Sequence, residues 1–410
     1  MKIITEPLQL KKKTLQKQLD VFWRIAFDPE YRQFRQDFIR LRMKLLREPA
    51  NLQENLDPKE LQGWTPIRLL WYFENPSVAW LDLGQTPFTD TTAIRTICRS
   101  WRKQNRPQPV WTNLDTLIAL KDISPGLKPK GFFFNTWKCG STLLSKMICS
   151  LERNLVISES QVIRDAAIFS HFLTGSDRAS DSFRIELLQS AISALGQPRL
   201  GVEENYIVRF DRPSIVDLPL IRRAFPETPI IFLYRHPVEV MVSMLTQNRP
   251  ILKELKKNSF LFKRRLNSSA IDLNRISPEK AHLLNQILDL SSSDIKAMSY
   301  EELEARLLGL FFEMSTHYID QKTLVVNYDQ LLSESCLSKI LEFYQIQVSA
   351  NEKETMLKQL QSYSKEDMRN RKYKDDRAEK QKIASGKMLD SVEKWAMASY
   401  RNLERMKMSV

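Results

Sequence analysis

The sequence predicts an α/β protein: a parallel sheet flanked by helices, with a smaller N-terminal α+β module before it. Three observations predict this. From residue 131 onward short apolar strands alternate with helical stretches, the pattern of a sheet covered on both faces. Before residue 125 the chain shows helical spacing and one hairpin signal instead. Its 410 residues, 42% hydrophobic and 27% charged, can bury the core of one large domain and a smaller module.

The N-terminal module is assigned to residues 1–125. Leu8, Leu15, Leu19, Phe22 and Ala26 recur at near-helical spacing, as do Phe34, Phe38, Leu41 and Leu45. Ile67, Leu69 and Trp71 then alternate, as do Val78 and Trp80. Glu74-Asn75-Pro76 separates the two runs and Gly84 closes them, which reads as a hairpin. Trp64, Trp71 and Trp80 are read as core residues of that hairpin, with acceptor binding as the second reading. Residues 90–104 return to helix. Pro125, Gly126 and Pro129 mark the boundary to the second domain, 126–410. There the expected strands are Gly131–Asn135, Val156–Ile157, Tyr206–Phe210, Pro229–Tyr234 and Leu324–Val326. Helices are expected from Ser141, across Ser214–Phe225, from Val238 and through Leu331–Tyr344. Residues 246–300 read as a mostly helical insertion, and 351–410 as a charged helical tail.

Composition narrows the function. Lys and Arg total 62 against 49 Asp and Glu, a formal charge of +13 that favours an anionic partner. Seven basic residues and one acid, Glu254, fall within 249–265, a stretch that includes Lys256, Lys257, Lys263, Arg264 and Arg265. Most of these are read as a solvated helix face. No zinc-finger, basic-zipper or RNA-recognition pattern is present, so nucleic acid is not the expected partner. The first residues lack the apolar stretch of a secretory signal, and no apolar run reaches the roughly 20 residues of a membrane helix. A cytoplasmic location is the default expectation. Cys98, Cys139, Cys149 and Cys336 fit neither a zinc site nor a disulfide framework, and the four histidines form no ligand cluster, so no metal is expected.

The run Phe134-Asn135-Thr136-Trp137-Lys138-Cys139-Gly140-Ser141-Thr142 lies between the first strand of the second domain and its helix. Such a junction collects unpaired backbone N–H groups and the positive end of a helix dipole, where phosphate fits. Gly140 lets the backbone approach closely, Ser141 and Thr142 add hydroxyls, and Lys138 adds a full charge. The order is not that of a Walker A loop, because Gly140 directly precedes Ser141 and Lys138 lies three residues before it. A kinase-like phosphotransferase is therefore disfavoured.

A second anion site is read at Arg235 and Ser243. Arg235 ends a strand, where open parallel sheets bind ligands. Pro237 suits the first turn of the next helix, and Ser243 lies about two helical turns beyond Arg235. An Arg fork with a nearby hydroxyl suits a phosphomonoester.

Trp137-Lys138-Cys139-Gly140-Ser141-Thr142 together with Arg235-x-Pro237-x-x-x-x-x-Ser243 resembles the two cofactor motifs of the sulfotransferase superfamily. The first resembles its 5′-phosphosulfate loop and the second its 3′-phosphate site. More closely, the chain looks like a bacterial sulfotransferase-like family, through Ser158-Glu159, Leu218-Pro219-Leu220-Ile221 and the Asp376–Lys380 stretch. The resemblance spans roughly residues 131–405. It departs from the classical cytosolic members at Trp137 and Cys139, which replace Pro and Ser.

The resemblance implies a sulfotransferase-like fold and 3′-phosphoadenosine 5′-phosphosulfate (PAPS) as sulfuryl donor. It implies transfer to a hydroxyl or amine of a small-molecule or carbohydrate-like acceptor. Lys138, Cys139, Gly140, Ser141, Thr142, Arg235 and Ser243 would bind the donor. Lys138 would stabilise the charge of the departing bisphosphate, and Glu159 would take the acceptor's proton, with His171 as its competitor. Lys380 could reach the donor from the tail. The other class left open is a nucleotide-binding relative without transfer activity.

Overall fold

A computed structural model describes residues 29–45, 52–70, 76–169, 180–244, 298–361 and 377–408. The predicted helix over 8–28, Trp71, His171, the basic stretch 249–265 and almost all of the 246–300 insertion lie outside the described residues.

Helix α1 (Pro29–Leu45) precedes a three-stranded antiparallel sheet of β1 (Thr65–Leu70), β2 (Ser77–Leu81) and β3 (Val110–Asn113), in that order. The predicted hairpin is β1 and β2, paired from Thr65↔Leu81 to Leu70↔Ser77. Trp80 is fully buried and its indole donates to Thr112 Oγ1 at 2.9 Å, which gives it the expected core role. Strand β3 was not predicted. It follows α2 (Ala93–Lys103) after a short loop and is only four residues long, too short to display an alternating pattern. Helix α3 (Leu114–Ile123) is N-capped by the Asn113 side chain.

The second sheet has five parallel strands: β4 (Pro129–Asn135), β5 (Asn154–Ser158), β6 (Asn205–Arg209), β7 (Ile230–Tyr234) and β8 (Thr323–Asn327). Each overlaps a predicted strand, and the spatial order is β5-β6-β4-β7-β8. Alternate residues face opposite cores. Phe132, Phe134, Tyr206, Val208, Ile230 and Phe232 belong to one buried cluster. Phe133, Ile207, Ile231 and Leu233 belong to another. Both faces are therefore dry, which explains why these strands read as apolar runs rather than as polar–apolar alternation.

Helices α4 (Ser141–Ile148), α10 (Tyr328–Leu331) and α11 (Glu334–Phe343) contribute to the second cluster. The first takes α5 (Gln161–Phe169), α6 (Asp181–Leu195), α7 (Leu218–Ala224), helix α8 over 237–244, and α9 (Tyr300–His317). The N-terminal sheet shares this first cluster. Its β1 packs on α5 and α6, and the Leu69 amide donates to the buried Asp165 of α5 at 3.1 Å. The tail follows as α12 (Ala350–Leu357), α13 (Arg377–Ile383), α14 (Gly386–Trp395) and α15 (Met397–Met406). Helix α14 crosses α9 at Gly309, where an added Cβ would stand 1.9 Å from the Trp395 carbonyl oxygen, so glycine is required there. Among the described residues no helix is long and apolar enough to cross a membrane.

Candidate functional site

Strands β4 and β7 are neighbours at the centre of the sheet, yet their connections diverge. After β4 the chain runs to β5 at one edge, and after β7 to β8 at the other. A crevice outside the strand carboxyl ends at such a reversal is where open α/β sheets take ligands. The loop 136–140 leaves β4 at that point, and Arg235 directly follows β7.

The loop is held from both ends. Asn135 donates its amide to the Phe210 carbonyl at 3.1 Å and accepts from Ser141 Oγ at 3.1 Å. Gly140, at φ 88, caps α4 in the left-handed region, and an added Cβ would lie 2.7 Å from the Tyr328 ring and 2.8 Å from Leu331. The glycine is thus needed for its dihedral and for its size. Lys138 also has a positive φ, 55°. The Cys139 thiol is fully buried, donates to the Thr136 carbonyl at 3.1 Å and is pushed up to about 11 by burial. Only the backbone of Cys139 can serve a ligand. Thr136 Oγ1 is buried at the base of the loop without a hydrogen-bond partner.

Arg235 is almost fully buried. Its Nε donates to Glu239 Oε2 at 2.6 Å, its guanidinium lies 4.1 Å from the Tyr328 ring centroid, and its Nη1 lies 3.4 Å from the Lys138 carbonyl oxygen. Ser243 Oγ donates to the Glu239 carbonyl at 2.9 Å. Glu239 thereby joins the two residues, its carboxylate to Arg235 and its carbonyl to Ser243. His236 makes an edge-on contact with Tyr400 and lies within 3.1 Å of the Gln381 amide. Burial lowers its pKa. Lys380 lies in α13, next to Gln381, which also reaches Glu239 Oε1 at 3.4 Å.

Glu159 follows β5 with a positive φ, 53°. Left-handed non-glycine residues are uncommon and cluster at functional sites. Among the described residues five non-glycines adopt this region, and two of them are Lys138 and Glu159. The Glu159 carboxylate is held by Arg209, the last residue of β6, at 2.8 Å. The same guanidinium donates to Ser145 Oγ at 3.2 Å, to Thr142 Oγ1 at 3.4 Å and to the Thr91 carbonyl at 2.8 Å. Arg209 therefore connects Glu159, the helix behind the loop and the N-terminal region. Sequence reasoning passed over it, although it ends an apolar strand as Arg235 does. Glu239 and Tyr328 were also missed, because neither carries a motif.

A cavity of about 520 Å³ lies elsewhere, at the far end of α4, with Phe88, Lys146, Cys149, Asn154 and Glu203 in its lining. None of the candidate residues lines it. Among the described residues no group of three or more His, Cys, Asp or Glu side chains could hold a metal ion.

No protein-family model and no curated protein matches the chain. Solved structures similar to it include a sulfotransferase of Mycobacterium avium, at 10% identity and a TM-score of 0.32, over 60% of this chain and 72% of that one. The sulfotransferase domain from the curacin biosynthetic pathway shares 12% identity at a TM-score of 0.32, over 70% of this chain and 100% of that one. The sulfotransferase domain of the Synechococcus olefin synthase shares 12% at 0.31, over 70% and 96%.

Proposed function

We propose that this protein is a sulfotransferase that moves a sulfuryl group from PAPS to a hydroxyl or amine of a small-molecule or carbohydrate-like acceptor. One observation carries the reading. The two segments read as anion-binding, about a hundred residues apart in sequence, come together in the fold: Arg235 Nη1 lies 3.4 Å from the Lys138 carbonyl oxygen. The residues fit a nucleotide bearing phosphate at both ends of its ribose. The start of α4 offers backbone amides without helical partners, and the Ser141 and Thr142 hydroxyls stand beside them.

In this reading Lys138 directs its charge to the oxygen that gains negative charge as the sulfur–oxygen bond breaks, so it stabilises the transition state more than the ground state. Ser141, Thr142 and the backbone at Cys139 and Gly140 hold the 5′ end. Arg235 and Ser243 take the 3′-phosphate, with Nε of Arg235 held by Glu239. Glu159 accepts the acceptor's proton, its carboxylate oriented by Arg209.

Thermal melting with nucleotides tests the reading without knowledge of the acceptor. A ligand at roughly 100 times its dissociation constant stabilises the folded state by about 2.7 kcal/mol. Adenosine 3′,5′-bisphosphate should raise the melting temperature clearly, and adenosine 5′-monophosphate or ATP much less. Arg235→Ala should abolish that preference. Equal shifts for all three nucleotides, or a shift with ATP and magnesium alone, would replace this reading with a kinase-like one. Nucleotide binding without transfer to any acceptor would make the protein a binding module.

A further inference from the structure

Arg212 begins the short 3-10 turn Arg212–Asp217 that follows β6. Its guanidinium lies over the Trp137 ring, 4.4 Å from the centroid, and the edge of that indole meets Phe311 of α9 at 4.9 Å between centroids. Trp137 immediately precedes Lys138, so Arg212 stands beside the proposed reacting end of the site.

Arg212 differs from its neighbours in charge balance. Arg164, Arg209, Arg222 and Arg235 all have a carboxylate within 3 Å. Among the described residues no carboxylate lies within ion-pair distance of Arg212. Burial nevertheless pushes its pKa down to about 10. Arg212 still stays partly exposed, so an anion from outside can reach a guanidinium whose charge is poorly hydrated and, among the described residues, not ion-paired.

The negative or ionisable groups whose charge acts on Arg212 are Glu159, Asp211, Glu304 and the Cys139 thiol. Three are already engaged. Glu159 is bound to Arg209 at 2.8 Å and Asp211 to Arg164 at 2.9 Å, while the Cys139 thiol is buried and protonated. Glu304 remains. It shares a face of α9 with Leu308 and Phe311, at i, i+4 and i+7, and is 4% exposed. Among the described residues no donor lies within hydrogen-bonding distance of its carboxyl. Burial raises its pKa to about 7, and Arg212 is the charge that acts against this rise. Below neutrality Glu304 is therefore mostly protonated and leaves the Arg212 charge unmatched, and as pH rises past about 7 it ionises and competes for that charge.

We propose that Arg212, stacked on Trp137, is an oxyanion-binding site for an acidic group of the acceptor, with Glu304 as the internal group that competes for it. The acceptor would carry a carboxylate, sulfate or phosphate close to the hydroxyl or amine that is modified. Arg suits this role because its planar fork binds oxyanions bidentately while its face rests on an aromatic ring. The role in transfer rests on the sulfotransferase reading; the anion site itself does not.

Inorganic sulfate is the probe, titrated calorimetrically into the full-length protein saturated with adenosine 3′,5′-bisphosphate. Saturable binding is expected, weakened at least about tenfold in Arg212→Gln and partly restored in Arg212→Lys. Lys138→Ala should leave it nearly unchanged. Between about pH 6 and about pH 8.5 the wild type should lose affinity as Glu304 ionises, whereas Glu304→Gln should not. Melting temperatures of the variants confirm that they fold. The proposal is overturned by absent sulfate binding, by binding indifferent to Arg212→Gln, or by the same pH response in Glu304→Gln. Loss in Lys138→Ala with survival in Arg212→Gln also overturns it, because the sulfate then sits where the transferred group would. If the nucleotide fails to bind, the sulfotransferase reading falls, and the same titration on nucleotide-free protein still reads Arg212.

Discussion

Arg209 Nη2 donates to Glu159 Oε1 at 2.8 Å, with the arginine side chain 1% exposed and the glutamate 36%. The pair is asymmetric: removing the glutamate takes the ion-paired carboxylate from a buried cation, which is left with neutral acceptors at Thr91, Ser145 and Thr142. Glu159→Ala should lower stability by about 1–3 kcal/mol, read from the urea midpoint at constant slope. Glu159→Gln, which retains an acceptor oxygen, should cost less. No difference between the two variants would mean that Arg209 does not depend on this partner.

The same position separates structure from chemistry. If Glu159 is the base, Glu159→Gln should reduce turnover about 10²–10⁴-fold with nucleotide affinity little changed. Single-turnover rates at saturating donor give the comparison, and normal turnover in this variant would remove Glu159 from the proton path.

Lys138→Ala should lower turnover by roughly 10² or more while nucleotide affinity stays within about tenfold, the scale for losing one preorganised charge donor. An affinity loss equal to the rate loss would make Lys138 a binding group only.

Gly140→Ala combines a left-handed φ with an added carbon 2.7 Å from the Tyr328 ring. Strain of about 1–2 kcal/mol and a similar overpacking cost are expected, together with weakened nucleotide binding as the loop shifts. Circular dichroism melts and the bisphosphate titration report the two effects separately.

Glu304 makes stability depend on pH. Its folded pKa of about 7 lies above the ordinary 4.5, so the folded state binds more protons between those values. Its stabilising contribution is full below the unfolded pKa and fades as pH rises to the folded one; the span is about 3 kcal/mol. Glu304→Gln should match the wild type near pH 4.5 and exceed it in stability at pH 8. Parallel stability curves for the two proteins across that range would show that Glu304 is not the group responsible.

Much of the second sheet was legible in the chain. Ile230–Tyr234 is an uninterrupted apolar run followed by Arg-x-Pro, and a strand with two buried faces favours such a composition. The strand–loop–helix junction at 135–141 was legible for a similar local reason, since Gly140, Ser141 and the helix start are adjacent. The four-residue β3 was not, because β structure in so short a segment comes from its partner, here Trp111 opposite Ala79 of β2.

What the tertiary structure decided is which charges meet. Residue order can place Lys138 on a loop and Arg235 at a strand end, but their contact exists because β4 and β7 are neighbours in register, Asn135 beside Leu233. Arg209 and Arg212 are three residues apart and look alike in sequence. One is bound to Glu159 and the other lies over Trp137 with no ion-paired carboxylate among the described residues, because the β6 register and the packing of α9 set the distances. Helix and strand pattern is a short-range property of backbone and burial. Charge pairing depends on a few ångströms between residues far apart in the chain, and only the folded packing sets those.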